Sequence, residues 1–198
     1  MSMFCYQCEQ TGKGTGCTVS GVCGKDPETA ALQDLLVHVA EGVSTYAHRG
    51  RKLGVKDPAA DRFVVEALFT TVTNVDFDPD RLAGIIRHGV AVRDAARKAY
   101  EAACATKGIE PESPAGGASV AVAADRTQMA AQGASVTIQK RIESRGPDVA
   151  GLQELITYGL KGMAAYADHA AVLGVEDDDV YAFFHEAMDY LAGNPADV

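Results

Sequence analysis

The feature of this chain that most constrains its fold is an internal repeat. Residues 27–74 align with residues 147–194 at an offset of 120 residues and without a gap. The match keeps glycine, tyrosine and asparagine in register as well as apolar residues: Gly42 with Gly162, Tyr46 with Tyr166, and Asn74 with Asn194. Chance similarity between two amphipathic helices would not normally preserve such residues, so the repeat predicts a duplicated helical bundle.

Aspartate–proline pairs predict where the helices of the first repeat begin. Aspartate accepts hydrogen bonds from the free N–H groups of a helix start, and proline suits the first helical position. Apolar residues at steps of three and four follow each pair, as in an amphipathic helix. The sequence therefore predicts an all-α fold whose first repeat is a three-helix bundle. The pairs are Asp26-Pro27, Asp57-Pro58 and Asp78-Pro79, and the predicted helices cover about 27–53, 58–72 and 79–106.

Four parts are predicted along the chain, because composition and periodicity change between them. Residues 1–26 form a cysteine-containing loop, residues 27–106 the first three-helix bundle, residues 107–146 a linker with short elements, and residues 147–198 a partial second bundle.

The linker is predicted to contain a short helix at 125–132 and an extended segment at 136–138. The second bundle is predicted to have two helices, because the counterpart of Pro79 would be residue 199 and the sequence ends at Val198. Two helices with an apolar face need a packing surface. We expect them to pack on the first bundle, on another chain or on sequence that is absent here.

Four cysteines near the start of the chain are the strongest candidates for chemistry. Their spacing is C-x2-C-x8-C-x5-C, with glycines in the intervals. A disulfide is disfavoured in a reducing cytoplasm, and structural zinc sites more often contain two C-x2-C pairs. An iron–sulfur cluster accepts one such pair with two more distant thiolates, and glycines let backbone N–H groups approach the sulfurs. Iron–sulfur is therefore favoured over zinc and a disulfide. The candidate ligands are Cys5, Cys8, Cys17 and Cys23.

Other candidate groups are interpreted as structural. Lys13 and Lys25 could offset the charge of thiolate ligands, but both are expected to be solvated loop lysines. Cys104 is expected to be a small buried residue of the third helix rather than a fifth ligand. The histidines have no metal-binding spacing and are expected at the surface or partly buried; they are His38, His48, His88, His169 and His185.

Charge and hydropathy exclude several classes of partner. The net charge of −9 argues against a nucleic-acid-binding surface, which would be basic. The sequence has no apolar run long enough to span a bilayer and no basic stripe for anionic lipids, so no membrane partner is expected. It also lacks a signal peptide, which predicts a cytoplasmic location. No phosphate-binding glycine loop or G-x-S-x-G motif is present, and no catalytic residue is assigned.

The cysteine loop resembles a known family. It reads Met3-Phe4-Cys5-Tyr6-Gln7-Cys8-Glu9-Gln10-Thr11, then Gly16-Cys17-Thr18 and Gly21-Val22-Cys23-Gly24-Lys25. This closely resembles the N-terminus of the hybrid-cluster proteins, also called hydroxylamine reductases or prismane proteins. Residues 155–174, with Gly159-Leu160-Lys161-Gly162, resemble the second helical bundle of the same family. The resemblance covers the whole chain and is most specific at the cysteines.

The resemblance implies an N-terminal domain of two three-helix bundles and a [4Fe–4S] cluster. Its ligands map to Cys5, Cys8, Cys17 and Cys23, since the spacing matches the branch that carries this cluster; another branch has longer intervals and can carry [2Fe–2S]. The intact family reduces hydroxylamine to ammonia on a second, mixed iron–sulfur–oxygen cluster. The ligands of that hybrid cluster lie in two later α/β domains, so the hybrid cluster is expected only on those absent domains.

The sequence is therefore interpreted as the N-terminal electron-relay domain of a hydroxylamine-reductase-type oxidoreductase. Alone it is not expected to reduce hydroxylamine. The expected partners are an electron-donor protein and the downstream α/β domains, carried by the same protein or by a separate chain. Two alternatives stay open: a stand-alone iron–sulfur electron-transfer module, and a structural zinc-binding helical protein.

Overall fold

The computed structural model describes residues 3–197, and within that range the protein is all-α, as predicted. Apart from helices it contains an isolated β-bridge in the cysteine loop and two 3-10 turns, Gly12–Gly14 and Gly116–Ala118. None of the described helices has the length and apolar character needed to cross a bilayer. The α-helices are α1 (Pro27–Lys52), α2 (Pro58–Thr70), α3 (Pro79–Lys107), α4 (Arg126–Gly133), α5 (Ile138–Arg145), α6 (Pro147–Val172) and α7 (Asp178–Ala192).

Aspartate side chains cap most of these helices. The Asp26 carboxylate accepts a hydrogen bond from the Thr29 N–H at 2.7 Å. Asp57, Asp78 and Asp177 each accept hydrogen bonds from two N–H groups at the starts of α2, α3 and α7. Each cap contributes about 1 kcal/mol because it satisfies donors that the helix leaves free. The predicted starts of the first three helices are confirmed.

The segment between α3 and α6 contains the two short helices α4 and α5. The predicted helix near 125–132 is confirmed as α4. The predicted extended segment at 136–138 is wrong, because α5 begins at Ile138. Ile138 is buried and Ile142, one turn later, is half-buried; the other six residues of this helix are polar. Two isoleucines in eight residues are too short a pattern to identify a helix from the sequence, and packing against α6 stabilises it.

The internal repeat is reproduced in the backbone. Helices α1 and α6 both have 26 residues and begin at positions 27 and 147. Gly54 and Gly174 have φ angles of 89° and 78°, and Asn74 and Asn194 have φ angles of 64° and 46°. Glycine and asparagine tolerate this left-handed conformation better than other residues. The turn geometry therefore explains why these residue types recur at the same offset.

One hydrophobic core joins the two repeats. Helix α7 packs against α1, and α6 packs against α2. Buried side chains from both repeats, such as Phe63, Leu160 and Phe184, belong to the same cluster. The first bundle thus supplies a packing surface that the two helices of the second repeat need. The division into four parts stays a prediction.

A buried polar network also connects the repeats. His185 of α7 is fully buried; its Nε2 lies 2.8 Å from Asp61 Oδ1, and its Nδ1 lies 3.1 Å from Ser44 Oγ. The Arg51 guanidinium donates to both oxygens of Asp61 at 2.8 Å. The expectation that every histidine is exposed or partly buried is wrong at His185, because these partners compensate the lost hydration of its ring.

The two repeats differ in what covers them. Tyr46 is 4% exposed, and its hydroxyl donates to the Ala118 carbonyl at 3.3 Å, whereas its counterpart Tyr166 is 80% exposed. Helix α3 and the turn Gly116–Ala118 pack over α1. Among residues 3–197, α6 has contacts with α2, α5 and α7 and no equivalent cover. Packing partners, rather than residue type, decide which copy of the repeated face is buried.

Candidate metal centre

The backbones of Cys5 and Cys17 are paired in the loop that precedes α1. Cys5 N–H donates to the Cys17 carbonyl at 3.0 Å, and Cys17 N–H donates to the Cys5 carbonyl at 2.7 Å. Met3 and Cys17 are buried and pack on Ala30 of α1. This apolar contact fixes the paired segment against the first turn of the helical bundle.

The Cys17 thiol lies in a setting that favours the thiolate. Its Sγ accepts a hydrogen bond from the Gly12 N–H at 3.3 Å. Hydrogen bonds from the N–H groups of Gly12 and Val22 lower the pKa of Cys17; burial opposes them, and the Lys25 charge lowers the pKa further. Backbone N–H donors to sulfur are a feature of cysteine-ligated metal sites, where they tune the bound group. Cys17 therefore fits a thiolate ligand.

Glycines leave space around the sulfurs. A Cβ atom on Gly12 would lie 3.7 Å from Cys17 Sγ, and one on Gly21 would lie 2.9 Å from Cys23 Sγ. At Gly16, a Cβ would lie 2.5 Å from the Phe4 ring. Side chains at Gly16 and Gly21 would displace the residues that flank the thiols. The glycine-rich composition of the loop thus has a steric reason beyond its turns.

The structure does not assemble all four candidate ligands. Cys8 is half-buried and Cys23 is exposed, and all five cysteines are free thiols. Within residues 3–197, no three cysteine, histidine, aspartate or glutamate side chains lie close enough together to hold a metal ion. Thiolates repel one another, and metal binding itself draws the ligands of a flexible loop together. The four-cysteine set therefore stays a prediction, for which Cys17 has the most suitable surroundings.

Cys104 lies apart from this loop. It is fully buried in a small apolar cluster with Tyr46, Ala96, Tyr100 and Ala118. The prediction that it is a buried small residue is confirmed.

A small polar cavity lies beside Cys5, between the cysteine loop and the second repeat. Its volume is about 40 Å³, which is enough for water but not for an organic substrate. Helix α1 contributes Asp34 and Gln33, α5 contributes Arg141, and α6 contributes Tyr158 and Lys161. These groups come from distant parts of the sequence and surround one of the candidate ligands.

Three titratable side chains that line this cavity have shifted pKa values. Burial raises the pKa of Asp34 to about 6, although Lys161, Arg141 and Lys25 act in the opposite direction. Burial lowers the pKa of Lys161 to about 8, and Asp34 opposes that shift. Burial also raises the pKa of the Tyr158 hydroxyl. The attraction between the Asp34 and Lys161 charges therefore offsets only part of the effect of burial on each pKa.

Sequence reasoning missed this cavity and misjudged one of its residues. Lys25 was expected to be a solvated loop lysine, but it is 5% exposed, and its Nζ lies 5.8 Å from the centre of the Phe77 ring. Lys13 is exposed, as expected. A local signal for Lys25 was its position two residues after Cys23. Asp34 and Lys161 had no such signal, because only the packing of α6 near α1 brings them to the same cavity.

Comparisons with known proteins place these observations in a family. The Prismane/CO dehydrogenase family model matches residues 3–198. A hydroxylamine reductase from Rhodospirillum rubrum is 50% identical over 195 residues, which is 98% of this chain and 36% of the relative. One from Geobacter sulfurreducens is 49% identical over 190 residues, 95% of this chain and 34% of the relative. One from Methanocella arvoryzae is 46% identical over 186 residues, 94% of this chain and 34% of the relative. The chain thus spans about a third of the length of these curated relatives.

Proposed function

Because the chain belongs to the Prismane/CO dehydrogenase family, we propose that it binds a [4Fe–4S] cluster and serves as the electron-relay part of a hydroxylamine-reductase-type oxidoreductase. The ligands are Cys5, Cys8, Cys17 and Cys23. The observation that carries the proposal is the Cys17 thiol, whose pKa is lowered by two backbone N–H donors within the matched cysteine motif. The zinc and disulfide alternatives have no comparable support from the family match.

The bound cluster supplies one-electron reduction and oxidation at a centre held by thiolates. The residues of the chain hold and shield that centre. Backbone N–H groups of Gly12 and Val22 stabilise negative charge on Cys17, and the buried Lys25 adds a positive charge nearby. Phe4 and Tyr6 pack against each other with ring centroids 5.1 Å apart and flank Cys5 on both sides. Together they limit the access of water to the first ligand.

In this role the chain accepts one electron from a reduced electron-donor protein. It passes the electron to an oxidised centre on α/β domains, carried by the same protein or by a separate chain. Those domains would hold the hybrid cluster, which would supply the chemistry for the reduction of hydroxylamine. We also propose a cytoplasmic location, because thiolate ligands persist in a reducing compartment. Neither nucleic acid nor a membrane surface is a partner in this proposal.

Metal analysis of the anaerobically reconstituted full chain tests the cluster. We expect about four iron and four sulfide ions per chain, and a broad visible absorption band that dithionite bleaches. Cys17→Ser should lose that band and much of the order of the N-terminal loop, because metal binding and loop folding are coupled. Cys104→Ala, in a separate apolar cluster, is the matched control and should keep it. Stoichiometric zinc without iron, or an unchanged band in Cys17→Ser, would contradict the proposal.

A turnover assay tests where catalysis takes place. The reconstituted chain, given a reduced viologen dye and hydroxylamine, should oxidise the dye no faster than a sample without hydroxylamine. The same assay on a full-length hydroxylamine reductase is the positive control. Sustained ammonia formation by the metal-counted chain would show that the catalytic centre does not require the α/β domains.

A further inference from the structure

The cavity beside Cys5 places charges of the second repeat close to the proposed cluster. Cys5, Asp34 and Lys161 line the same space of about 40 Å³. Lys161 belongs to α6, so the second repeat brings a cation to the loop that begins the chain.

Three cations line this cavity: Arg141 has a carboxylate partner, whereas Lys161 and Lys25 have none among residues 3–197. Arg141 forms an ion pair with Glu154, whose side chain is 3% exposed. Lys161 has no carboxylate oxygen within 4 Å among residues 3–197; its Nζ lies 5.7 Å from the centre of the Tyr158 ring. The Tyr158 ring packs edge-on against Tyr6, next to Cys5, with centroids 5.9 Å apart. The rings of Tyr158 and Tyr6 thus connect Lys161 to the cysteine loop.

Asp34 carries the opposing charge. Its carboxylate lines the cavity and accepts no hydrogen bond from the part of the chain that the structure describes. Its pKa is raised by burial and lowered chiefly by Lys161, so charge rather than hydrogen bonding compensates it. Because Asp34 is partly buried, water screens its charge less than that of a fully exposed carboxylate.

We propose that Lys161 and Asp34 set the reduction potential of the cluster bound by the cysteine loop. The two side chains carry opposite charges and shift this potential in opposite directions. The inference rests on the proposed function, because it requires the cluster. An electron accepted at the loop adds one negative charge and neither forms nor breaks a bond. Lys161 stabilises that added charge, whereas Asp34 opposes it. The second repeat thereby tunes the relay in addition to packing on the first bundle.

An EPR-monitored redox titration of the anaerobically reconstituted full chain tests this proposal. In Lys161→Met the equilibrium constant for one-electron reduction should fall about tenfold, a midpoint shift of about 59 mV to more negative potential. Asp34→Asn should shift the midpoint in the positive direction, and Lys161→Arg should restore the wild-type value. Lys140→Met is the matched control: Lys140 is 55% exposed and paired with Glu143 at 2.7 Å, so its removal should leave the potential unchanged.

The outcomes separate this proposal from the proposed function. If the wild-type chain binds no redox-active cluster, the proposed function fails. If the wild-type cluster titrates normally while Lys161→Met and Asp34→Asn leave the midpoint unchanged, only the charge assignment fails. Shifts of the same sign in both variants would also overturn it, because that pattern indicates looser packing of the loop. Iron content and thermal unfolding of each variant identify misfolded samples before titration.

Discussion

Gly42 and Gly162 occupy equivalent positions of the repeat, and exchanging each for alanine should have opposite effects on stability. Gly42 lies in α1, where the turn Gly116–Ala118 crosses the helix. A Cβ atom on Gly42 would overlap the Gly117 carbonyl and lie 2.6 Å from the Ala118 nitrogen. A Cβ atom on Gly162, in α6, would have no neighbouring atom within 4 Å. The pair therefore compares the same substitution with and without a packing partner.

The expected magnitudes follow from two effects. Alanine in place of a helical glycine stabilises by about 0.5–1 kcal/mol, because the unfolded chain loses conformational freedom. Gly162→Ala should gain that amount. At Gly42 the clash involves backbone atoms, which cannot move aside as a flexible side chain could, and overpacking costs about 1–3 kcal/mol or more. Gly42→Ala should therefore lose about 1–2 kcal/mol net, a difference between the variants of roughly 1.5–3 kcal/mol.

Equilibrium unfolding in urea measures the difference directly. The midpoint should rise for Gly162→Ala and fall for Gly42→Ala with an unchanged slope, and the melting temperatures should differ by about 4–10 °C. Cleavage near residues 116–118 by elastase, which cuts after small residues such as the alanines of this segment, should accelerate in Gly42→Ala alone, because the turn is displaced. Equal stability of the two variants would refute the reasoning, since it would mean that the turn does not cover α1 in solution.

Two further predictions concern buried charges. The pKa of Asp34 is about 6 in the folded protein, above the unfolded value of about 4. Between these pH values the folded state binds more protons than the unfolded state. The protein therefore loses stability as the pH rises through this range. Asp34→Asn should therefore be more stable than wild type above pH 6 but not below pH 4 in urea unfolding; an equal difference at both pH values would contradict this. Asp61→Asn should cost about 3 kcal/mol in the same assay, because it removes the carboxylate that contacts the half-buried Arg51 and the fully buried His185. Asp178→Asn, at a residue whose side chain is 47% exposed, should cost much less than Asp61→Asn, and similar losses for both would argue against the buried network.

Much of the helical architecture was predictable because its signals are local. Asp26, Asp57 and Asp78 cap helices through hydrogen bonds that span two or three residues, so the aspartate–proline pairs predicted the helix starts. The helix α5 was missed, because Ile138 and Ile142 give only one helical step within eight residues, which is too short a pattern to identify a helix. The burial of His185 was also missed, since its partners Ser44 and Asp61 belong to the other repeat.

The cysteine site was predictable in composition and spacing. Cysteines are rare in the rest of the chain, and the intervals between Cys5, Cys8, Cys17 and Cys23 match a metal-binding pattern. The surroundings were not predictable. Lys25 is buried because the loop folds over Phe77, and Asp34 meets Lys161 because α6 lies near α1. Neither contact leaves a trace in the spacing of the sequence.

The sequence by itself determined the helical class, the duplicated pattern and the four candidate thiol ligands, because each depends on residue types at short and regular intervals. The tertiary structure alone decided which copy of the repeat is covered and which charges face the thiols. Tyr46 is buried and Tyr166 exposed although both belong to the same pattern. Burial and electrostatic environment depend on neighbours that are distant along the chain, and two identical patterns differ as soon as their packing partners do.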